Sequence, residues 1–130
     1  MKKLSIIIIF ILMLIAYPAL SYKQYTGETP QDLKFAKYFY NLMQDSGVYA
    51  VEVNKEFMVV NIREKLYRMM VYDKIKGKQL IRNWVRLFQN HVDESSDLGT
   101  VFIYIYFDNT KVIEAKSNYR STDITINYKD

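Results

Sequence analysis

The sequence predicts an α+β domain in which an antiparallel sheet of four to five strands carries two helices on one face. Two segments repeat apolar residues at helical spacing, and four or five shorter segments alternate apolar and polar residues with the period of strands. Their order along the chain is α-β-β-α-β-β-β, and the helical stripes need one apolar sheet face to cover.

The chain begins with a segment typical of a secretory signal peptide. Two lysines precede the apolar run Ile6 to Ala16, and small residues at Ala19 and Ser21 fit cleavage after Ser21. The run has 11 residues, whereas a spanning helix needs about 20. We therefore expect residues 1–21 to be removed from an exported protein, periplasmic or secreted. The alternative is a leader that stays uncleaved as a membrane anchor.

Composition narrows the classes of function. The chain contains 18 Lys and Arg residues and 14 Asp and Glu residues. Its net charge of +4 falls to +2 when the two leader lysines are removed. Such a balance does not favour nucleic-acid binding. The absence of cysteine excludes thiolate catalysis, zinc–thiolate sites and iron–sulfur clusters, and we expect no cofactor. The length after the signal peptide suits a flexible leader over residues 22–28 and one domain over residues 29–130.

The first helix has clear start and stop signals. Thr29 is a suitable N-cap, and Pro30 suits the first helical position. Apolar residues recur at helical spacing from Leu33 to Met43. Gly47 can adopt the left-handed conformation that commonly ends a helix.

Two strands follow. Alternation predicts strands over Val48–Val53 and Phe57–Ile62, joined as an antiparallel hairpin by a turn at Asn54-Lys55. The segment from Arg63 to Tyr72 fits either a helical turn or an extended link.

A second helix is predicted after Asp73, which can serve as its cap. Its apolar stripe runs from Ile75 to Val92 and includes Trp84, which we interpret as a core residue. Gly77 lies near its start, where glycine disfavours helix, and residues 93–99 are expected to form a polar acidic loop.

The last third of the chain is predicted to be strands. Val101–Phe107 is the strongest strand, followed by a turn at Asp108-Asn109 and a returning strand over Lys111–Ala115. A polar connection over residues 116–121 leads to an edge strand over residues 123–128.

The strand Val101–Phe107 is apolar on both faces, and only one face can meet the helices. The other face presents aromatic side chains, and exposed aromatic patches mark partner or ligand sites. The candidate binding residues are Phe102, Tyr104, Tyr106 and Tyr49. The competing interpretation is that another segment folds over them.

Candidates for catalysis or metal binding are weak. His91 is the only histidine, and with the adjacent acids it makes a poor zinc site, so we interpret it as a residue at a helix end. Glu52 and Glu114 are acids on otherwise apolar strands, and a pair of carboxylates in one groove would suit a small hydrolase. The alternative is that both acids face solvent.

Three basic residues share one face of the second helix at spacings of four residues: Lys78, Arg82 and Arg86. They would suit a phosphate or an anionic membrane surface, or form an ordinary solvated face.

The sequence therefore favours an exported, non-enzymatic module that binds an exported or envelope protein, or another envelope component, through an aromatic sheet face. A small secreted hydrolase is the alternative. Membrane contact is expected only if the leader stays uncleaved, and the face of Val101–Phe107 would also suit a homodimer.

Overall fold

The computed structural model describes residues 24–95, 100–118 and 124–129. The predicted signal peptide, its cleavage site and the segments 96–99 and 119–123 lie outside the described residues. None of the helices within the described ranges is long and apolar enough to cross a membrane.

The described residues form an α+β fold with three α-helices and a six-stranded mixed sheet. The helices are α1 (Pro30–Met43), α2 (Glu64–Tyr72) and α3 (Lys74–Ser95), and a short 3-10 turn (Gln44–Ser46) follows α1. The strands are β1 (Tyr25–Gly27), β2 (Val48–Asn54), β3 (Phe57–Ile62), β4 (Thr100–Phe107), β5 (Thr110–Asn118) and β6 (Ile124–Tyr128).

The strands lie in the sheet in their chain order, β1 to β6. The β1–β2 and β3–β4 pairs are parallel, and the other pairs are antiparallel. The prediction of a purely antiparallel sheet was therefore wrong. The reason lies between β3 and β4, where α2 and α3 form a crossover connection, and a crossover returns the chain parallel to the strand it left.

Start and stop signals of the first helix are confirmed. The Thr29 hydroxyl accepts a hydrogen bond from the backbone N–H of Asp32 at 3.0 Å, and Pro30 occupies the first turn of α1. Gly47 has φ of 119°, a left-handed conformation that glycine adopts without a Cβ clash.

The structure changes or decides the interpretation of three segments. Tyr25–Gly27, expected in a flexible leader, forms edge strand β1 and pairs with β2. Arg63 to Tyr72, left open between helix and link, contains α2, whose buried Leu66 and Met70 are spaced by one helical turn. Residues 116–118, expected in a polar connection, belong to β5, which continues to Asn118.

One core holds the helices to the sheet. Phe39 from α1, Met70 from α2 and Trp84 from α3 are fully or almost fully buried in one cluster with alternate residues of the central strands, such as Met58 and Ile103. The Phe39 and Trp84 rings meet edge to face, with centroids 5.3 Å apart. All three helices therefore cover the same face of the sheet, as the sequence predicted for its two.

A bulge in β2 changes which residues face the core. The pairing with β3 shifts between Val48 and Ala50, so Val48 and Val51 are both buried although they are three positions apart. The simple alternation expected over this strand therefore fails at its start, since a bulge inserts one extra residue.

Candidate functional site

The sheet face opposite the helices carries the predicted aromatic residues. Phe102 and Tyr104 on β4 lie beside Phe57 and Val59 on β3, in register across the two strands. All four are half-buried, and none belongs to the partly buried side chains that pack against the core. In the part of the chain that the structure describes, their ring and cation contacts are all with strand residues.

Three of these rings form a nearly parallel cluster. The centroids of Phe57 and Phe102 are 5.0 Å apart with 13° between the ring planes. Tyr104 lies 5.9 Å from Phe57 and 6.2 Å from Phe102, with planes inclined by 19° and 15°. At 5.0 Å, parallel rings cannot lie side by side in one plane, so Phe57 and Phe102 overlap in an offset stack. We call Phe57, Phe102 and Tyr104 the ring cluster.

Lysines from β5 complete the surroundings of the ring cluster. The ammonium of Lys116 lies 5.9 Å from the Phe102 ring centre, and that of Lys111 lies 4.9 Å from the Tyr104 ring centre. Both distances fit cation–π contacts. Lys111 also approaches a carboxylate oxygen of Glu114 at 3.8 Å. Neighbouring side chains therefore occupy ring faces that a sugar would need for stacking.

The hydroxyl of Tyr104 is electrostatically perturbed. Partial burial raises its pKa above the usual value, and the nearby Glu114 carboxylate and Tyr106 hydroxyl add to the shift. Tyr104 therefore stays a neutral hydrogen-bond donor at neutral and moderately alkaline pH.

Two predicted aromatic residues lie outside the ring cluster. Tyr106 follows Tyr104 on the same face and is paired with Asn61 on one side and Lys111 on the other. Tyr49 lies at the β2 bulge, where the Arg63 guanidinium sits 5.4 Å from its ring centre. Tyr49 lines a separate shallow cleft near the end of β4. The structure therefore does not group Tyr49 with Phe102, Tyr104 and Tyr106.

The two candidate carboxylates share this face but not a groove. Glu52 pairs with Val59, Val59 with Tyr104, and Tyr104 with Glu114, so the acids are three strands apart. At a strand spacing of about 4.8 Å their backbones are about 14 Å apart. Glycosidase carboxyl groups lie about 5 to 9.5 Å apart. Their backbone separation exceeds this carboxyl spacing, so the structure does not bring Glu52 and Glu114 together as a pair.

His91 lies near the C-terminal end of α3, as the sequence predicted, and its side chain is largely buried. Its side chain is 9% exposed, and its Nε2 lies 2.7 Å from Oδ1 of Asp32, which is itself buried. Its ring also stacks on Phe35, with centroids 4.6 Å apart. Because α3 crosses the start of α1 here, His91 contacts a residue 59 positions away in the chain.

Asp32 connects three elements. Besides contacting His91 on α3, its Oδ2 accepts the backbone N–H of Lys55, in the β2–β3 turn, at 3.3 Å. Nothing in the local sequence around Asp32 indicates a contact with the hairpin turn. Among the described residues, no group of three or more His, Cys, Asp or Glu side chains could hold a metal ion.

A groove of about 450 Å³ runs between α1 and α3 beside this contact. Phe35, Tyr38 and Leu87 give it apolar walls, and Lys34 and Asn90 lie at its rim. The sequence offered no signal for it, because its residues come from helices far apart in the chain.

The three basic residues predicted on one face of α3 differ in exposure. Arg82 and Arg86 are exposed and Lys78 is half-buried, and in the described ranges none of them forms a salt bridge.

Comparison with protein-family models, curated proteins and solved structures finds no match to this chain.

Proposed function

We propose that this chain is an exported, non-enzymatic module that binds another protein through the sheet face centred on the ring cluster. The observation that carries the proposal is that three nearly parallel aromatic rings lie on the face away from the helices. Half-buried aromatic residues outside the core are typical of the energetic centres of protein interfaces.

The polar residues around the rings support a protein partner over a glycan. Sugars bind aromatic residues by stacking on free ring faces, whereas Phe57 and Lys116 lie against Phe102, and Lys111 lies against Tyr104. The surface around the rings also offers tyrosine hydroxyls and charges of both signs. Such a mixed surface suits the side chains and backbone groups of a protein.

Export is part of the proposal and rests on the sequence alone. The basic start, the apolar run Ile6 to Ala16 and the small residues before position 22 support a cleaved leader. The partner would then be a protein of the envelope or of the secreted fraction.

Site-specific photo-crosslinking in the producing cells tests the proposed face. A photoreactive phenylalanine analogue at Tyr106 should give a discrete protein adduct. The same analogue at Tyr38, which is 52% exposed on α1, serves as the matched control and should give none. Adding Tyr104→Ser should remove the adduct. An equal adduct from Tyr38, or an adduct sensitive to glycosidase and resistant to protease, would contradict the proposal.

A further inference from the structure

The corner between α2 and α3 exposes two large apolar side chains. Tyr72 at the end of α2 is 85% exposed, and Ile75 in the first turn of α3 is 78% exposed. They are the most exposed large apolar residues of the described chain. Single exposed apolar residues are common on soluble proteins, so this pair needs further support before it indicates a binding surface.

The charge around the pair is mainly positive. Lys74 and Lys76 flank Ile75, and both are exposed. The nearest acid in sequence is Asp73, whose carboxylate accepts the backbone N–H of Lys76 at 3.1 Å and so caps α3. Lys78 lies one turn further along α3, half-buried. On α2, Arg68 is paired with Glu64 at 2.8 Å and contributes no net charge.

The corner lies at a defined end of the sheet. Lys74 approaches the ring of Tyr128 at 5.3 Å, and Gly77 packs against the Tyr128 hydroxyl. Tyr128 is the last residue of β6, and the strand register places the C-terminal ends of β3, β4 and β6 at the same end of the sheet. We call this end of the sheet, together with the α2–α3 corner, the lower end of the domain.

The chain also enters the domain from the lower end. β1 runs parallel to β2, and β2 begins opposite Ile62, where β3 ends. Residue 24 therefore lies toward the same end as Tyr72 and Ile75. Preceding it in sequence is the apolar run Ile6 to Ala16, with two lysines before that run.

We propose that the α2–α3 corner rests on the surface of an anionic lipid bilayer. Tyr72 and Ile75 enter the headgroup region, where amphipathic aromatic and apolar side chains are stable, and Lys74 and Lys76 contact lipid phosphates. An uncleaved leader would join the domain at this lower end, whereas after cleavage the corner must bind the bilayer through its own side chains. The ring cluster, on the sheet face away from the helices, is then free for the partner of the proposed function.

The absence of cysteine allows a direct test with the exported chain, purified from the producing cells. An environment-sensitive dye is attached to the new thiol of Ile75→Cys, and its emission is followed on addition of phosphatidylcholine–phosphatidylglycerol vesicles or pure phosphatidylcholine vesicles. The matched control is Leu33→Cys. Leu33 is 38% exposed in the first turn of α1, at the opposite end of the sheet.

A blue shift at position 75 with the anionic vesicles, without one at position 33, is the expected result. Replacing Lys74 and Lys76 with glutamine should weaken the vesicle affinity read by this shift about 30-fold, given the attraction of each lysine to an anionic surface. An unchanged emission at position 75 would overturn the proposal, as would equal shifts at positions 75 and 33. A shift of the same size with pure phosphatidylcholine would also overturn it, because the lysines would then have no role.

Discussion

Replacing Gly77 with alanine should destabilise the protein, although alanine is the better helix former. In an open helix the change would stabilise by about 1 kcal/mol. Here the added Cβ would lie 2.8 Å from the Tyr128 hydroxyl, 2.9 Å from the Cα of Met70 and 3.0 Å from the Met70 carbonyl oxygen. Two of these atoms are backbone, so α2 must move away from α3. Overpacking of this kind costs about 1 to 3 kcal/mol. Since the contacts are simultaneous, we expect a net loss of about 1 to 2 kcal/mol.

Urea unfolding followed by circular dichroism measures this loss. Asn83→Ala, at an exposed position of the same helix, is the matched control and should stabilise by a few tenths of a kcal/mol. Tyr128→Phe removes one of the three contacts and also removes a buried hydroxyl that has no hydrogen-bond partner. The double variant Gly77→Ala/Tyr128→Phe should therefore recover part of the loss. Stabilisation by Gly77→Ala alone would refute the close packing of α2, α3 and β6.

Three further outcomes follow from the described contacts. Asp32→Ala removes the acceptor of the Lys55 N–H and the contact to His91, and should lower the free energy of unfolding in urea by about 3 kcal/mol. A loss below 1 kcal/mol would show that the packing of α1, α3 and the β2–β3 turn does not depend on Asp32. Gly27→Ala places a Cβ within 2.5 Å of α1 backbone atoms and should detach β1, seen as faster amide exchange at Val51, whose N–H bonds to Gln24. Burial raises the pKa of Tyr128, so its contribution to stability is complete below pH about 10 and is lost as pH rises through the higher folded-state value. Tyr128→Phe should reduce that alkaline loss, and an unchanged pH profile would argue against the buried hydroxyl.

Local signals in the sequence predicted the local structure well. The Thr29 cap, the Gly47 terminus and the alternation in β4 depend on neighbouring residues, and all three are confirmed. The hairpin is also confirmed, but its turn lies at Lys55-Glu56, one residue later than expected, with Lys55 at φ of 54°. The predicted turn included Asn54 because asparagine is common in turns. In the structure Asn54 belongs to β2 and pairs with Phe57.

Features that depend on distant contacts were missed. β1 has three residues, too few for a periodic pattern, and exists because it pairs with β2. The parallel pairing of β3 and β4 could have been predicted from the sequence, because a long helical segment between two strands indicates a crossover. His91 and Asp32 carry no sequence signal of their contact, because only the crossing of α1 and α3 brings them together.

The candidate site could be predicted in part. Alternation in β4 correctly separated Phe102 and Tyr104 from the buried Ile103 and Ile105. Phe57 was not selected, because its place in the ring cluster depends on the parallel register of β3 with β4. Whether the face binds a protein stays a prediction.

The double variant Tyr104→Ser/Tyr106→Ser tests the central claim most directly, by comparing its urea unfolding with its affinity for the partner that the photo-crosslink from position 106 identifies. If these rings serve a contact surface, the variant should fold with only a modest loss of stability, because both residues lie outside the core, and it should lose the partner. A variant that no longer folds would place these rings in the core, and a folded variant that still captures the partner would show that binding occurs elsewhere.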